Sequence, residues 1–286
     1  MAIKIEHLTH IYNEGMPFEK KALDDINIDI AEGEFVGIIG HTGSGKSTLI
    51  QMFNGLLKPT SGNVIINGKN IHGDDVKKKE VREQVGLVFQ YPEYQLFEMT
   101  VYEDVAFGPK NLGLSETEIK ERVEYGCKAV GLDESYYEKS PFELSGGQKR
   151  RVAIAGVLAM KPNILILDEP TAGLDPKGRN ELFGQLKKMH EELGLTIVLI
   201  SHSMEDVARY VDRLLVLYKG KKAYEGTPRE VFAHDMELEK IGLAMPQIRY
   251  IMNALKAKGM DIDTDVLTVE EAAAKITAYL RSGGKA

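Results

Sequence analysis

The stretch that most limits what this chain can become is FVGIIGHTGSGKSTLI, residues 35–50. A continuous apolar run leads into GHTGSGKS, Gly40 to Ser47, and then into a helical pattern, STLIQMFNGLL. The spacing fits G-x-x-x-x-G-K-[ST], and strand, glycine loop and helix is the context in which that spacing builds a phosphate cradle. Glycines let backbone N–H groups come close to an anion, and the helix N-terminus adds partial positive charge. On this reading Gly40, His41, Thr42, Gly43, Ser44, Gly45, Lys46, Ser47 and Thr48 wall a nucleoside-triphosphate site. Lys46 reaches the β- and γ-phosphates, and the Ser47 hydroxyl is offered to Mg²⁺.

The rest of the chain supplies the sheet behind such a loop. VGLVF, ILILD, TIVLIS and RLLVLY are continuous apolar runs, as in central parallel strands covered on both faces. IKIEHLTHIY, INIDIAEGE and NVIINGKNI alternate, as half-solvated strands do. The expected fold is α/β: a P-loop NTPase core with a parallel central sheet, an N-terminal antiparallel β flank, an inserted helical subdomain and a C-terminal helical appendage. Residues 1–230 form the main domain, with the helical subdomain at about 91–160 opened in part by the capping box SETE, Ser115 to Glu118. Residues 231–286 form the appendage, entered through TPRE, with Thr227 as N-cap, Pro228 at N1 and Glu230 at N3. There Leu238, Ile241, Ile248, Ile251, Met252 and Leu255 are spaced so that helices can pack on the core or on a second subunit.

Composition removes several function classes. The net charge is −7, and the basic run VKKKEVR is broken by an acid, so a nucleic-acid partner is disfavoured. The single cysteine, Cys127, forbids an internal disulfide; it falls in helical register with Ile119, Val123 and Val130, as a core thiol does. The N-terminus has no apolar signal region. The longest apolar run, VAIAGVLAM, is about half of what a membrane span needs. A soluble, cytoplasmic protein is expected, acting at a membrane only through a partner's helices.

Two further stretches carry chemistry. ILILDEP puts Asp168 and Glu169 at the C-terminal end of a strand, where ligands of open α/β sheets bind. Asp168 is placed to hold the Mg²⁺ shell, and Glu169 to take a proton from an attacking water. LSGGQ, Leu144 to Gln148, is a second glycine loop. Ser145 and Gln148 have capping-box spacing, so the loop opens a helix whose positive end can face a γ-phosphate. A capped helix alone gives no reason for the paired Gly146 and Gly147. If the two loops lie at opposite ends of the chain, the second is half of another subunit's site.

Taken together, GHTGSGKS, ILILDEP and LSGGQ make the sequence resemble the ATPase subunit of an ABC transporter, over about residues 2–230. The resemblance implies ATP and Mg²⁺ as cofactors and two such subunits head to tail, the LSGGQ of one closing over the ATP of the other. Ser145, Gly146, Gly147, Gln148 and Asp175 then touch ATP in trans; Asp175, before Pro176, also has N-cap spacing. Tyr12 stacks on adenine, although plain strand packing is open to it. Glu169, His202 and Gln90 are the catalytic set, and Ser47, Gln90 and Asp168 hold Mg²⁺ directly or through water. Ala172 stands where this family's loop more often begins with Ser.

With one P-loop and fewer than about 100 residues between it and LSGGQ, neither the long coiled coils of chromosome-maintenance ATPases nor the paired cassettes of translation factors fit. FQYPEYQLFEMTVYEDVAFGP, residues 89–109, resembles the energy-coupling factor and cobalt-type importers, and the long first loop YNEGMPFEKKAL resembles the A′ ATPase of those systems. The resemblance implies a second ATPase, a transmembrane T component, an S component that binds a vitamin or metal ion, and a peripheral place on the cytoplasmic face of the cell membrane. Tyr94, Leu96 and Phe97 are expected in an exposed loop that receives a partner helix, and Phe107 folded back on its own subdomain. An ATPase of another ABC transporter class and a nonhydrolytic regulatory partner are the alternatives. Intact Lys46, Asp168, Glu169, Gly146, Gly147 and His202 argue against the second.

Overall fold

The computed structural model describes residues 1–73 and 76–282. Most of the terminal SGGKA lies outside the described residues. The strands are β1 (Ile3–Tyr12), β2 (Lys20–Ile30), β3 (Phe35–Ile39), β4 (Ser61–Ile66), β5 (Lys69–Asn70), β6 (Val85–Val88), β7 (Ile164–Asp168), β8 (Thr196–Ile200), β9 (Arg213–Tyr218) and β10 (Lys221–Gly226). The helices are α1 (Lys46–Phe53), α2 (Lys78–Gln84), α3 (Val101–Leu112), α4 (Glu116–Ala129), α5 (Gly146–Leu158), α6 (Pro176–Leu193), α7 (Met204–Tyr210), α8 (Pro228–Phe232), α9 (Asp235–Lys240), α10 (Gln247–Ala257) and α11 (Val269–Arg281).

The apolar runs form the parallel part, β9 to β6, of one sheet in the order β10-β9-β3-β8-β7-β6. β3, β6, β7 and β8 bury every residue, because both faces are covered. On one face Val36, Ile38, Ile164, Ile166, Val198 and Ile200 pack with α1 and with the antiparallel sheet β2-β1-β4-β5. On the other, Phe35, Ile39, Leu165, Leu167, Ile197 and Leu199 pack against α5, α6 and the helices of residues 91–160. The alternation follows from successive side chains pointing to opposite faces.

β10 was not legible as a strand. KKAYEG has no apolar run, and its residues alternate between exposed and half-buried. Pairing with β9 makes it a strand, through a two-residue turn in which Lys219 (φ 49) and Gly220 (φ 77) are both left-handed. That is the turn whose twist matches a hairpin's.

Between β6 and β7 the described chain holds only helices and turns. Val101, Val105, Ile119, Val123, Cys127 and Ala155 bring α3, α4 and α5 into the larger core. Cys127 is fully buried as its register implied, and burial pushes its thiol up to about 11. Capping boxes close at Ser115–Glu118, Ser145–Gln148 and Thr227–Glu230.

The C-terminal residues divide by core. Val231, Phe232, Leu238 and Leu243 belong to the large cluster, with Ile241 packed against it. Met252, Met260, Ile262, Val266 and Ala272 make a small one of their own, with Ile248 and Leu255 against it and Ile251 exposed. This last module is held to the body by Leu267, which enters the large cluster, and by pairs such as Arg229–Asp265 (2.9 Å) and Arg209–Glu270 (3.1 Å). Exposed pairs of this kind contribute about 0–1 kcal/mol each. A chain ended after Ala244 is therefore expected to melt cooperatively at a lower temperature, with ATP affinity within about twofold of the full chain. Calorimetry on the truncated protein checks this; loss of ATP binding would show that the module shapes the nucleotide site.

Candidate functional site

Gly40 follows β3, and α1 begins at Lys46 after Gly45, whose φ is 108. A Cβ on Gly45 would lie 2.7 Å from both Ala22 O and Leu23 Cδ2. A Cβ on Gly40 would lie 2.3 Å from Leu217 O and 2.5 Å from Ser44 Oγ. The packing of the chain itself requires these two glycines. At Gly43 there is open space and a φ of 80, so the requirement is the backbone turn. The β9–β10 turn braces the loop: Gly220 N–H donates to Ser44 O (3.0 Å), and the Tyr218 ring meets His41 edge-on at 5.3 Å.

Lys46 is buried and donates to Gly40 O (2.6 Å) and His41 O (3.1 Å). Burial pulls its pKa down, against the opposing charges of Glu169 and Asp168. Ser47 Oγ donates to Asp168 Oδ2 at 3.4 Å. Burial first, and then the neighbouring Glu169 charge, hold the Asp168 carboxyl above the usual carboxylate range. A cation placed between Ser47 and Asp168 would offset both penalties. Ser44 Oγ and His41 Nε2 are buried with no hydrogen-bond partner among the described residues. A triphosphate with Mg²⁺ fits this donor set: glycines where backbone must approach, a buried lysine, and a hydroxyl beside a carboxylate whose ionisation is strained.

Glu169 has φ 50, the left-handed region, directly after β7. Gln90 Nε2, just past β6, donates to Glu169 Oε2 at 2.9 Å, and His202 Nε2, just past β8, lies 2.8 Å from Glu169 Oε1. Three adjacent parallel strands thus deliver their terminal side chains to one point. Tyr12, at the end of β1, shares a hydrogen bond with Thr48 Oγ1 (3.1 Å) and meets His10 edge-on at 4.5 Å. Its ring remains partly exposed beside the first turn of α1.

The LSGGQ segment stands apart from this cluster. Ser145 Oγ accepts from Gln148 N–H (3.3 Å), Gln148 Oε1 accepts from Ser145 N–H (2.9 Å), and Gln148 Nε2 donates to Tyr136 OH (3.1 Å). Asp175 caps α6 by accepting from Gly178 N–H at 2.7 Å. Ser145 to Gln148 and Gly173 to Asp175 line one concavity that includes no residue of the P-loop. A Cβ on Gly146 would meet nothing within 4 Å, and one on Gly147 only Leu174 Cδ2 at 3.6 Å. The chain's own packing has no need of glycine at either position.

A groove runs along the helical subdomain between Leu96, Phe97, Phe107, Leu112, Val157 and Met160. Tyr94 and Phe97 are 84% and 59% exposed, as expected. Two expectations are corrected. Leu96 is half-buried against the large core, because the turn Pro92–Gln95 points it inward. Phe107 is 44% exposed and meets Phe97 edge-on at 4.9 Å. It lies about 200° around α3 from the buried Val105, so it cannot face the same core. Sequence reading also missed Arg150, which is 3% exposed. Its register held the signal: it precedes the buried Ile154 and Leu158 by one and two turns of α5.

The model of the ABC transporter family matches residues 23–172. The chain belongs to that family. Among its relatives, the energy-coupling factor transporter ATP-binding protein EcfA2 of Clostridium tetani is 60% identical over 95% of both chains. The protein of the same name from Caldanaerobacter subterraneus subsp. tengcongensis is 59% identical over 98% of both. These names agree with the energy-coupling factor resemblance carried by residues 89–109. Of solved structures, cbiO1 of Clostridium perfringens, described as part of the ABC transporter complex cbiONQ, superposes with a TM-score of 0.75 at 44% identity, over 88% of this chain and 98% of that one. A dimeric post-hydrolysis state of the ATP-binding cassette MJ0796, bound to ADP and Pi, superposes with a TM-score of 0.70 at 36% identity, over 79% of this chain and 98% of that one.

Proposed function

We propose that this chain is an ATP-hydrolysing motor subunit of an energy-coupling factor importer. The convergence of Gln90 and His202 on Glu169, beside the Ser47–Asp168 pair, carries the reading. Gly40 to Thr48 hold the triphosphate and Tyr12 faces the adenine. Lys46 turns its ammonium from loop carbonyls to phosphate oxygens. Ser47 and Asp168, with Gln90, would hold Mg²⁺, which when bound neutralises charge on the phosphates. Glu169 accepts the proton of a water as its oxygen bonds to the γ-phosphorus and the bond to the ADP oxygen breaks. His202, against the same carboxylate, orients it and faces the leaving phosphate.

The second half of each site comes from a second ATPase. Ser145, Gly146, Gly147, Gln148 and Asp175 would reach the partner's ATP, a reading supported by glycines that this chain's packing does not need and by the dimeric relative that holds ADP and Pi. No helix among the described residues is long and apolar enough to cross a membrane. The groove at Phe97 and Phe107 then receives an amphipathic helix of a transmembrane T component, which places the chain on the cytoplasmic face of the membrane. An S component beside it would bind the vitamin or metal ion carried.

Gly147→Asp tests the split site. The local packing tolerates the side chain, but its charge would face a γ-phosphate. ATP affinity at the variant's own P-loop is expected within about twofold of native. Hydrolysis at the partner's P-loop should fall by a factor on the order of 10², as when an electrostatic donor is removed. Collapse of affinity at the variant's own P-loop would mean that LSGGQ acts within one chain.

A further inference from the structure

A buried guanidinium is costly unless its donors are used. Arg150 has five N–H groups and makes four hydrogen bonds. Its Nε and Nη2 donate to the two carboxylate oxygens of Glu93 (3.1 and 2.8 Å), and Nη1 donates to Pro170 O (3.1 Å) and Ala172 O (2.6 Å). These partners come from separate parts of the chain. Glu93 lies three residues past Gln90. Pro170 and Ala172 follow Glu169. Arg150 itself sits one turn into α5, the helix capped by Ser145 of LSGGQ.

The left-handed Glu169 persists only if its surroundings hold it there. Its N–H donates to Ile200 O (3.0 Å), and Ala172 N–H closes back on Glu169 O (3.2 Å). Arg150 fixes the next carbonyls on the far side. Gln90 meanwhile donates to the Glu169 carboxylate. The contacts close into a ring: Gln90 to Glu169, the turn after Glu169 to Arg150, Arg150 to Glu93, and Glu93 back along the chain to Gln90.

We propose that Arg150 is the positioning residue through which the nucleotide state of this chain's own P-loop reaches its LSGGQ segment, and so the ATP held by the second ATPase. The proposal rests on the split-site reading above. A shift of Gln90 toward a bound phosphate displaces Glu93. A bidentate carboxylate–guanidinium pair resists both slip and rotation, so the displacement passes to α5 as a body. Lysine keeps the charge but, as a point ammonium on a flexible stem, has no planar fork to hold both carboxylate oxygens of Glu93.

The test uses the full chain with its partner ATPase, carrying Arg150→Lys, Glu93→Gln or both. The chain has no tryptophan, so Phe142→Trp, at an exposed site just before LSGGQ, supplies a single emission probe. In Arg150→Lys, ATP affinity is expected within about twofold of native while kcat falls at least about tenfold. The double variant should be no slower than Arg150→Lys alone, because both changes cut one path. The ATP-induced change in probe emission should be lost. That measurement needs no hydrolysis, so it judges the coupling even if the chain does not turn over ATP. Glu93→Gln leaves Arg150 native and carries the same expectation if the lysine variant folds poorly. A native emission response in either single variant, or a kcat within about twofold of native, overturns the proposal. So does a tenfold loss of ATP affinity, which would mean that Arg150 shapes the P-loop site itself.

Discussion

Glu169→Gln is expected to slow ATP hydrolysis by about 10²–10⁴, the effect of a positioned base, or roughly 3–5 kcal/mol of barrier. ATP binding should survive. The amide is isosteric and keeps an oxygen that can accept the Gln90 N–H now bonded at 2.9 Å, so the strand ends stay where they are. What it lacks is a lone pair basic enough to take a proton from water. With product formation blocked, ATP should hold two subunits together, and the stable pair should be visible by size-exclusion chromatography in Mg-ATP. Single-turnover rates in the same preparation separate chemistry from product release. Near-native turnover would remove Glu169 from the role of base.

Phe97→Ala together with Phe107→Ala should abolish transport and co-purification with a membrane subunit, and leave basal ATP hydrolysis within about twofold of native. Both rings are exposed and lean on each other along the groove. Few side chains usually anchor a helix in a groove, each costing about 2 kcal/mol or more on truncation. Two such losses would lower affinity by a factor on the order of 10³. Leu96 is left native because its packing on the core makes any effect ambiguous. A double variant that still co-purifies and transports would place the docking surface elsewhere.

The parallel strands of the central sheet were legible because they are covered on both faces and so read as unbroken apolar runs. β10 was not, because its pairing with β9 comes from a turn and an edge position. The caps at Ser115, Ser145, Asp175 and Thr227 could be read from spacing alone, since each is a bond between near neighbours in sequence. Leu96 reversed its expected exposure because a loop's inward side is set by the subdomain it folds against, and Phe107 because it lies on the side of α3 opposite the buried Val105. Arg150 escaped notice for a related reason. Its partners lie 57, 20 and 22 residues away, and no local pattern announces a contact at such distances.

The ammonium of Lys46, already bonded to two carbonyls of its own loop, bears on how the protein lets go of nucleotide. Binding a phosphate there exchanges one set of acceptors for another, so the free-energy gain is the difference between them and smaller than the new contacts suggest. The converse holds on departure. Under the proposed ATPase cycle, the lysine would return to Gly40 and His41 when product leaves, with no bare charge stranded in the protein interior. A motor of the proposed kind needs this: grip that can be undone at each turn without leaving an unpaired ammonium behind.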